Sequence, residues 1–296
     1  MGPPLTPLDK IRYLSKRVIC ILGCNPSPMT LLGTNTYLVG SGRERILIDT
    51  GNPNILEYQQ LLNKVLDDTK SVISKIIVTH FHHDHIGGLA DVRRLCNANI
   101  PAYKMDFMSA AERSKLGEYQ SEVELIEGNH TFEVNGATLK ARHNPGHTSD
   151  HMVLWLEEEK ALFSADSVLG EGTTMFTNLS HYMKSLQQIR DMKPEVIYPG
   201  HGPVVRNPAE HVDYYISHRQ EREDQIVALL KETPRSAKSI VKVLYKDYPE
   251  AVHGHAADIM ILHLRKLFDD QKVTYKDEDV NTDTLWKLRE PHAGSS

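Results

Sequence analysis

At 296 residues the chain can form one large domain or two ordinary ones around a substantial buried core. It is 40% hydrophobic and 25% charged, in the usual range for a globular protein, and no apolar run approaches the roughly 18 residues that a membrane-spanning helix needs. The net charge of −5 excludes a bulk positive field, so a nucleic-acid partner would have to be held by a few placed residues.

The opening "MGPPLT" fits the loose N-myristoylation pattern, a match that chance readily produces. The following "KIRYLSKRVICILG" has four basic residues and no acid, the charge character of a mitochondrial presequence. It runs without a break into an apolar strand, so folded structure is expected there. Cys20, Cys24 and Cys96 are too few for a disulfide framework and point to a reducing compartment, with Cys20 and Cys24 expected as buried thiols rather than ligands.

Apolar runs Thr36–Val39 and Ile46–Ile48, split by a Gly-containing turn, predict a hairpin. Ile55, Tyr58, Leu61, Leu62 and Val65 recur at helical spacing, and the strand "KIIVTH" follows. The stretch 101–129 has weaker periodicity and is expected to hang over the rim of the sheets. "TFEVNGATLKARHN" carries an Asn-Gly turn between alternating runs, a strong hairpin signal. "MVLWLEEEKALFSAD" predicts a second strand pair, and "PEVIYPGHG" a last short strand. Strand pairs with interspersed helices predict an α/β fold of mixed sheets covered by helices, over residues 1–206.

From Asn207 onward the pattern is helical, starting with Asn-Pro and an early Glu, and a second domain is expected over 207–296. Ala257, Met260, Ile261, Leu264, Leu267 and Phe268 form an i, i+3, i+4, i+7 stripe. The short β-like runs "KVTYK" and "DTLWKLRE" follow, and helices ahead of a two-stranded ribbon suggest a winged helix. From Arg219 to the end there are 13 Lys+Arg and 14 Asp+Glu, so this region is no generic polyanion binder. Two readings stand for this region: it contacts RNA through a few placed residues such as Arg265 and Lys266, or it merely packs against the first domain through Met260, Leu264 and Leu267.

The chemistry is concentrated in "THFHHDHIGG", residues 79–88. In extended backbone His80 and His82 point the same way and can share a metal, while Asp84 and His85 turn away and can serve a second one. Later strand ends supply His147 in "PGHT", Asp166 in "SAD" and His201 in "PGHG". A lone "PGH" is usually a turn with an exposed histidine. Together with the first cluster, however, these make five imidazoles and two carboxylates, about four ligands per ion if one carboxylate bridges. Asp166 is the natural bridge because a carboxylate offers two oxygens and an imidazole one free nitrogen. Gly146, Gly200 and Gly202 beside the ligands permit backbone approaches that a Cβ would block.

"HFHHDH" with His147, Asp166 and His201 resembles the HxHxDH signature of the metallo-β-lactamase superfamily, across roughly residues 20–205. "GCNPSPMTLLGTNTYLVG", "PGHTSDHM", "GEGTTMF" and "YPGHGPVV", with the winged-helix-like tail, extend the likeness to its mitochondrial zinc endoribonuclease branch over nearly the whole chain. That resemblance implies an αββα sandwich, two Zn2+ ions and cleavage of single-stranded RNA, with a mitochondrial matrix location (cytoplasmic as the alternative). It implies His80, His82 and His147 on one zinc and Asp84, His85 and His201 on the other, Asp166 bridging, and Asp49 steadying the ligand loop.

Such a centre favours hydrolysis of a phosphodiester by a hydroxide shared between the metals, with Asp84 able to hold the nucleophile's proton. His151 and His181 are candidates for the leaving-group acid, which the sequence leaves unassigned. A glyoxalase-II-like thiolester hydrolase is the alternative function. A β-lactamase proper and an RNA-binding module with a structural metal rank below it.

Overall fold

Every residue of β2 (Val18–Leu22) is buried, and successive side chains enter different cores. Val18 and Cys20 join the core between two sheets, while Ile19 and Ile21 join a core against helices. A strand covered on both faces needs this continuous apolar run divided with a period of two. The computed structural model describes residues 4–107 and 109–290.

The first sheet has seven strands in the order β1 (Ile11–Tyr13), β2, β3 (Asn35–Val39), β4 (Glu44–Ile48), β5 (Val72–Val78), β6 (Ala102–Met105) and β7 (Glu124–Ile126). Pairing is antiparallel from β1 to β4 and parallel from β4 to β7. The second sheet runs β12 (Val196–Pro199), β11 (Ala161–Ala165), β10 (Met152–Leu156), β9 (Ala137–His143), β8 (Thr131–Val134), with only β11 and β12 parallel. α1 (Leu56–Thr69), the short α2 (His83–Ile86) and α3 (Leu89–Leu95) contribute to the core outside the first sheet. α5 (Leu179–Met192) and the start of α6 (Pro208–Glu232) cover the second. The result is an αββα sandwich with three apolar cores in layers.

The hairpins β3–β4, β8–β9 and β10–β11 form as expected, and the Asn135–Gly136 turn closes Val134 onto Ala137 with Gly136 at φ 77°. The stretch 101–129 differs from expectation. It supplies β6 and β7 to the sheet, and among the described residues the elements between them are α4 (Ala110–Arg113) and the 3-10 turn Ser114–Ser121. The strand signal in β6 is broken by Lys104, which is fully buried and paired with buried Asp150 rather than exposed as lysines usually are.

α6 belongs to two cores. Val212 and Tyr215 pack with α5 against the second sheet, whereas Ile226 and Leu230 pack with α7 (Ala237–Leu244) and α8 (His253–Asp269). β13 (Val273–Thr274) and β14 (Lys287–Leu288) form the antiparallel wing, and Trp286 closes that core with no exposure. The apolar stripe of α8 is therefore the centre of the C-terminal unit itself, not its contact with the first domain. Ile259 and Leu262, from a different face of α8, make that contact. Of the two candidate RNA contacts, Lys266 bonds Glu223 at 3.0 Å and Asp270 at 2.8 Å, whereas Arg265 is exposed.

Among the described residues no helix is long and apolar enough to cross a membrane. The myristoylation match at Met1–Gly2 lies outside the described residues.

Leu264 is fully buried in the C-terminal core. Leu264→Ala should cost about 2–5 kcal/mol in chemical denaturation. It should leave the metal content of the folded protein unchanged, because Ile259, Leu262 and His263, the α8 residues that face the first unit, stay in place.

Candidate metal centre

Four strands deliver their C-terminal ends to one rim. His80 and His82 follow β5, His147 follows β9, Asp166 directly follows β11, and His201 follows β12. β11 and β12 are parallel neighbours, which puts Asp166 beside Gly200 and His201. The chain turns into α2 right after His82, and this turn separates the first two histidines from Asp84 and His85. Ala165 takes φ 43°, a strained value for a non-glycine residue, at the step that aims Asp166.

The donor atoms form two groups. His82 Nδ1 lies 3.0 Å from both His80 Nε2 and His147 Nε2, and Asp166 Oδ2 stands 3.5 Å from His147 Nε2 and 4.0 Å from His80 Nε2. In the second group Asp84 Oδ2 is 3.2 Å from His85 Nε2 and 3.3 Å from His201 Nε2. Asp166 Oδ1 closes it at 3.4 Å and 3.3 Å from the same two nitrogens. Donors around a tetrahedral ion with bonds of about 2.0–2.2 Å stand about 3.3–3.6 Å apart, so both groups have the right span. All seven predicted ligands come together, and Asp166 turns one oxygen to each group.

Two buried atoms, His85 Nε2 and Asp166 Oδ1, have no hydrogen-bond partner, although buried polar atoms nearly always find one. Both point into the second group, as lone pairs awaiting a cation would. The residues present therefore fit two divalent ions. The protein's own charges agree with that reading. Burial disfavours a charge on His85 and His201, yet the carboxylates of Asp84 and Asp166 outweigh it, raising His85 well above its ordinary value and His201 to about 9. Burial likewise opposes ionisation of Asp166, but His201 and His85 hold it well below the usual carboxylate range. His82, whose burial and neighbouring His147 outweigh its carboxylates, falls to about 4 and presents neutral imidazole. The pocket calls for positive charge, which a divalent ion supplies in place of protons.

The outer hydrogen bonds fix each ring. Asp49 accepts His85 Nδ1 at 2.7 Å and the Thr79 amide and hydroxyl at 2.8 and 2.9 Å, and the Thr79 hydroxyl oxygen lies 3.1 Å from His80 Nδ1. One carboxylate thus steadies a ligand of each group, the role expected for it. His147 Nδ1 donates to Met175 O at 2.7 Å, leaving Nε2 free to ligate.

Several supporting residues escaped the sequence reading. Thr34 donates to Asp84 Oδ2 at 3.0 Å. The Asn35 amide donates to Pro199 O at 3.0 Å and Gly202 O at 2.9 Å, stapling the turn that carries His201. Arg219, in α6, donates to Thr174 O at 2.9 Å, next to the Met175 carbonyl that orients His147. The run "TNTY" and the tail of "GEGTTMF" were visible as text, but nothing in their spacing marks them as supports.

His151 does not face the rim. It is fully buried, its Nε2 accepts the Asp166 amide at 3.2 Å, and its Nδ1 lies 3.3 Å from Ser167 Oγ. Burial also holds it well below the ordinary histidine range, so it positions Asp166 and is no leaving-group acid. His181 sits in the first turn of α5, outside both ligand groups. Cys20 is buried as expected, whereas Cys24 is only half-buried, and no cysteine joins the cluster.

Residues 29–201 match the family model described as the metallo-beta-lactamase superfamily, and residues 236–286 match the beta-lactamase associated winged helix domain. The chain belongs to the metallo-β-lactamase superfamily and carries that winged-helix domain at its C-terminal end. A relative from Caenorhabditis elegans, described as a beta-lactamase-like protein 2 homolog, is 46% identical over 90% of this chain and 90% of its own length. An atrochrysone carboxyl ACP thioesterase from Cryptosporiopsis sp. (strain 8999) is 35% identical over 92% of this chain and 86% of its own. A crystal structure of a beta-lactamase domain protein from Burkholderia ambifaria shares the fold at TM-score 0.76 and 18% identity, over 94% of this chain and 93% of that one.

Metal analysis of the loaded protein should return two divalent ions per chain, and one equivalent under metal-replete conditions would reject the paired centre. Asp166→Ala should lower occupancy of both positions, since it removes an oxygen from each.

A Cβ at Gly200 would stand 2.3 Å from Asp166 Oδ1. Gly200→Ala should therefore displace the bridge and weaken metal retention against a chelator by tenfold or more, about 1.4 kcal/mol or above. Normal retention in a folded variant would show that the carboxylate has room to move.

Proposed function

We propose that the protein is a zinc-dependent endoribonuclease that hydrolyses phosphodiester bonds in single-stranded RNA. The observation that carries this reading is the sharing of Asp166 between two ligand groups built from five imidazoles and only two carboxylates. Neutral imidazole with carboxylate is a donor set suited to zinc. Two divalent ions outweigh two ligating carboxylates, so the loaded centre is net positive and attracts an anionic diester whose transition state gains negative charge. When bound, the zinc pair supplies Lewis acidity that activates water and neutralises charge on the phosphoryl oxygens.

The chain's own groups orient this chemistry. Asp84 is the more exposed of the two ligating carboxylates, and its Oδ1 takes no protein hydrogen bond among the described residues. That oxygen is available to accept a hydrogen from the attacking water. The neighbouring His85 and His201 hold Asp84 well below the ordinary range despite its burial, so it aligns the water rather than keeping the proton. Asp49, Met175 O and Asn35 keep His85, His147 and His201 in place while this occurs.

A second reading, thiolester hydrolysis, is favoured by the fungal thioesterase that matches this chain over 92% of its length. The two separate in one experiment. The protein loaded with zinc is given single-stranded RNA and an acyl thiolester, each with and without chelator. The expected result is chelator-sensitive cleavage of RNA leaving a 5′-phosphate and a 3′-hydroxyl, because water rather than the ribose 2′-hydroxyl attacks. Asp84→Ala should abolish it with the fold intact. Turnover of the thiolester alone, or a 2′,3′-cyclic phosphate end, would overturn the proposal.

A further inference from the structure

A groove of about 610 Å³ lies on the outer face of the second sheet, between β9 and β10 on one side and α5 on the other. It contains none of the metal ligands. We propose that it binds the single-stranded RNA flanking the scissile bond, stacking a base on Trp155 and pairing phosphates with Arg142 and Lys184. This rests on the endoribonuclease reading and extends it to a second contact surface.

The direction of the elements comes first. β9 runs from Ala137 to His143 and leads on to His147, so Arg142 is nearer the metal end of the strand than Lys140. α5 starts at the same end, where the amides of Thr177 and Asn178 donate to Gly146 O at 2.7 and 3.1 Å, and runs away from it. Lys184 is therefore nearer the metal loop along the helix and Met192 farther from it. Lys140 pairs with Trp155 across the β9–β10 ladder, deeper along the groove. The cations without partners stand toward the metal end, and the aromatic and thioether surface lies beyond them.

The charges in the groove then sort by partner. Glu157 is occupied by Lys140 and accepts the Trp155 indole N–H at 2.9 Å. Asp191 accepts from Gln187 at 2.9 Å. Arg142 and Lys184 have no ion pair among the described residues, and the groove's three cations outnumber its two carboxylates, Glu157 and Asp191, by one. With its N–H already satisfied, Trp155 offers its ring face and edge rather than a donor. Trp155 is half-buried, its body packed against the core under the second sheet and its remaining surface lining the groove. A positively charged track beside an accessible aromatic surface is how single strands are held without reading sequence, because every base has a π-face and every linkage a phosphate.

The chain's two tryptophans make the test direct. Trp286 is fully buried in the C-terminal core, so a fluorescence change caused by a ligand at this groove reports Trp155. The zinc-loaded protein is titrated with a single-stranded oligoribonucleotide carrying phosphorothioate linkages, which keep the charge and slow hydrolysis. Binding is followed by tryptophan quenching and by anisotropy of a labelled copy, and cleavage of ordinary RNA is assayed in parallel. Saturable quenching is expected, and it should vanish in Trp155→Phe. Arg142→Gln with Lys184→Gln should weaken binding and make the salt slope shallower by about 1.4, at unchanged melting temperature. RNA that is cleaved and raises anisotropy while Trp155 stays silent would overturn the groove and leave the endoribonuclease reading standing, as would an unchanged slope in the double variant. Quenching without cleavage would keep the groove and sink the activity. Neither binding nor cleavage would reject both.

Discussion

A carboxylate buried among imidazoles is the constraint around which this molecule is arranged. Asp166 is 7% exposed, and an isolated charge at that depth would cost several kcal/mol. It stays ionised because His201 and His85 face one oxygen while His147 and His80 face the other. Reaching that arrangement needs four strand ends on one rim, a parallel β11–β12 pair, and a glycine at 200 where any side chain would collide with the carboxylate. Ala165 in a left-handed conformation is part of the same cost. The hydrophobic layers of the sandwich offset that strain by fixing the strands on both faces.

The second organising feature is the switch from strand to helix inside "HFHHDH". While the backbone is extended, alternation sends His80 and His82 to one group. Once α2 begins, the helical turn swings Asp84 and His85 toward the other. One short segment thereby contributes to both donor groups. Asp49 ties both halves together from behind by bonding His85 and Thr79. The outer support is largely backbone carbonyls and small polar side chains held in loops, which gives fixed direction to rings that would otherwise rotate about two torsions.

The legible part of the sequence was the part with a short repeat or an unusual residue type. The seven candidate donors are legible because histidine and aspartate clusters stand directly after apolar runs, and Asp49 follows from the family resemblance. The hairpins could be read from alternation and from Asn135–Gly136. The strand β6 is hidden by Lys104, whose charge is met in the interior by Asp150, brought in on the β9–β10 loop 46 residues later. The role of Asn35 was hidden because its partners, Pro199 and Gly202, are more than 160 residues away. The stripe on α8 could be recognised as buried, but not against what, since periodicity gives a face and never its neighbour. These three failures have one physical origin: partners brought together by topology leave no local pattern.

The join between the two units follows from the same logic. Arg219 is 8% exposed and has no carboxylate partner among the described residues. Its guanidinium donates to Thr174 O and lies 4.9 Å from the Phe176 ring centre, and Phe176 also meets His263 of α8 edge-on at 5.9 Å. The stretch held this way includes Met175, whose carbonyl sets the orientation of His147. α6 therefore does more than connect two domains: its first half packs on the catalytic core, its second half on the winged helix, and between them Arg219 holds the loop behind a metal ligand. Displacing the C-terminal unit would strip Phe176 of one neighbour and loosen that loop. On this geometry the winged-helix domain is part of the support of the metal centre as well as an attachment to it.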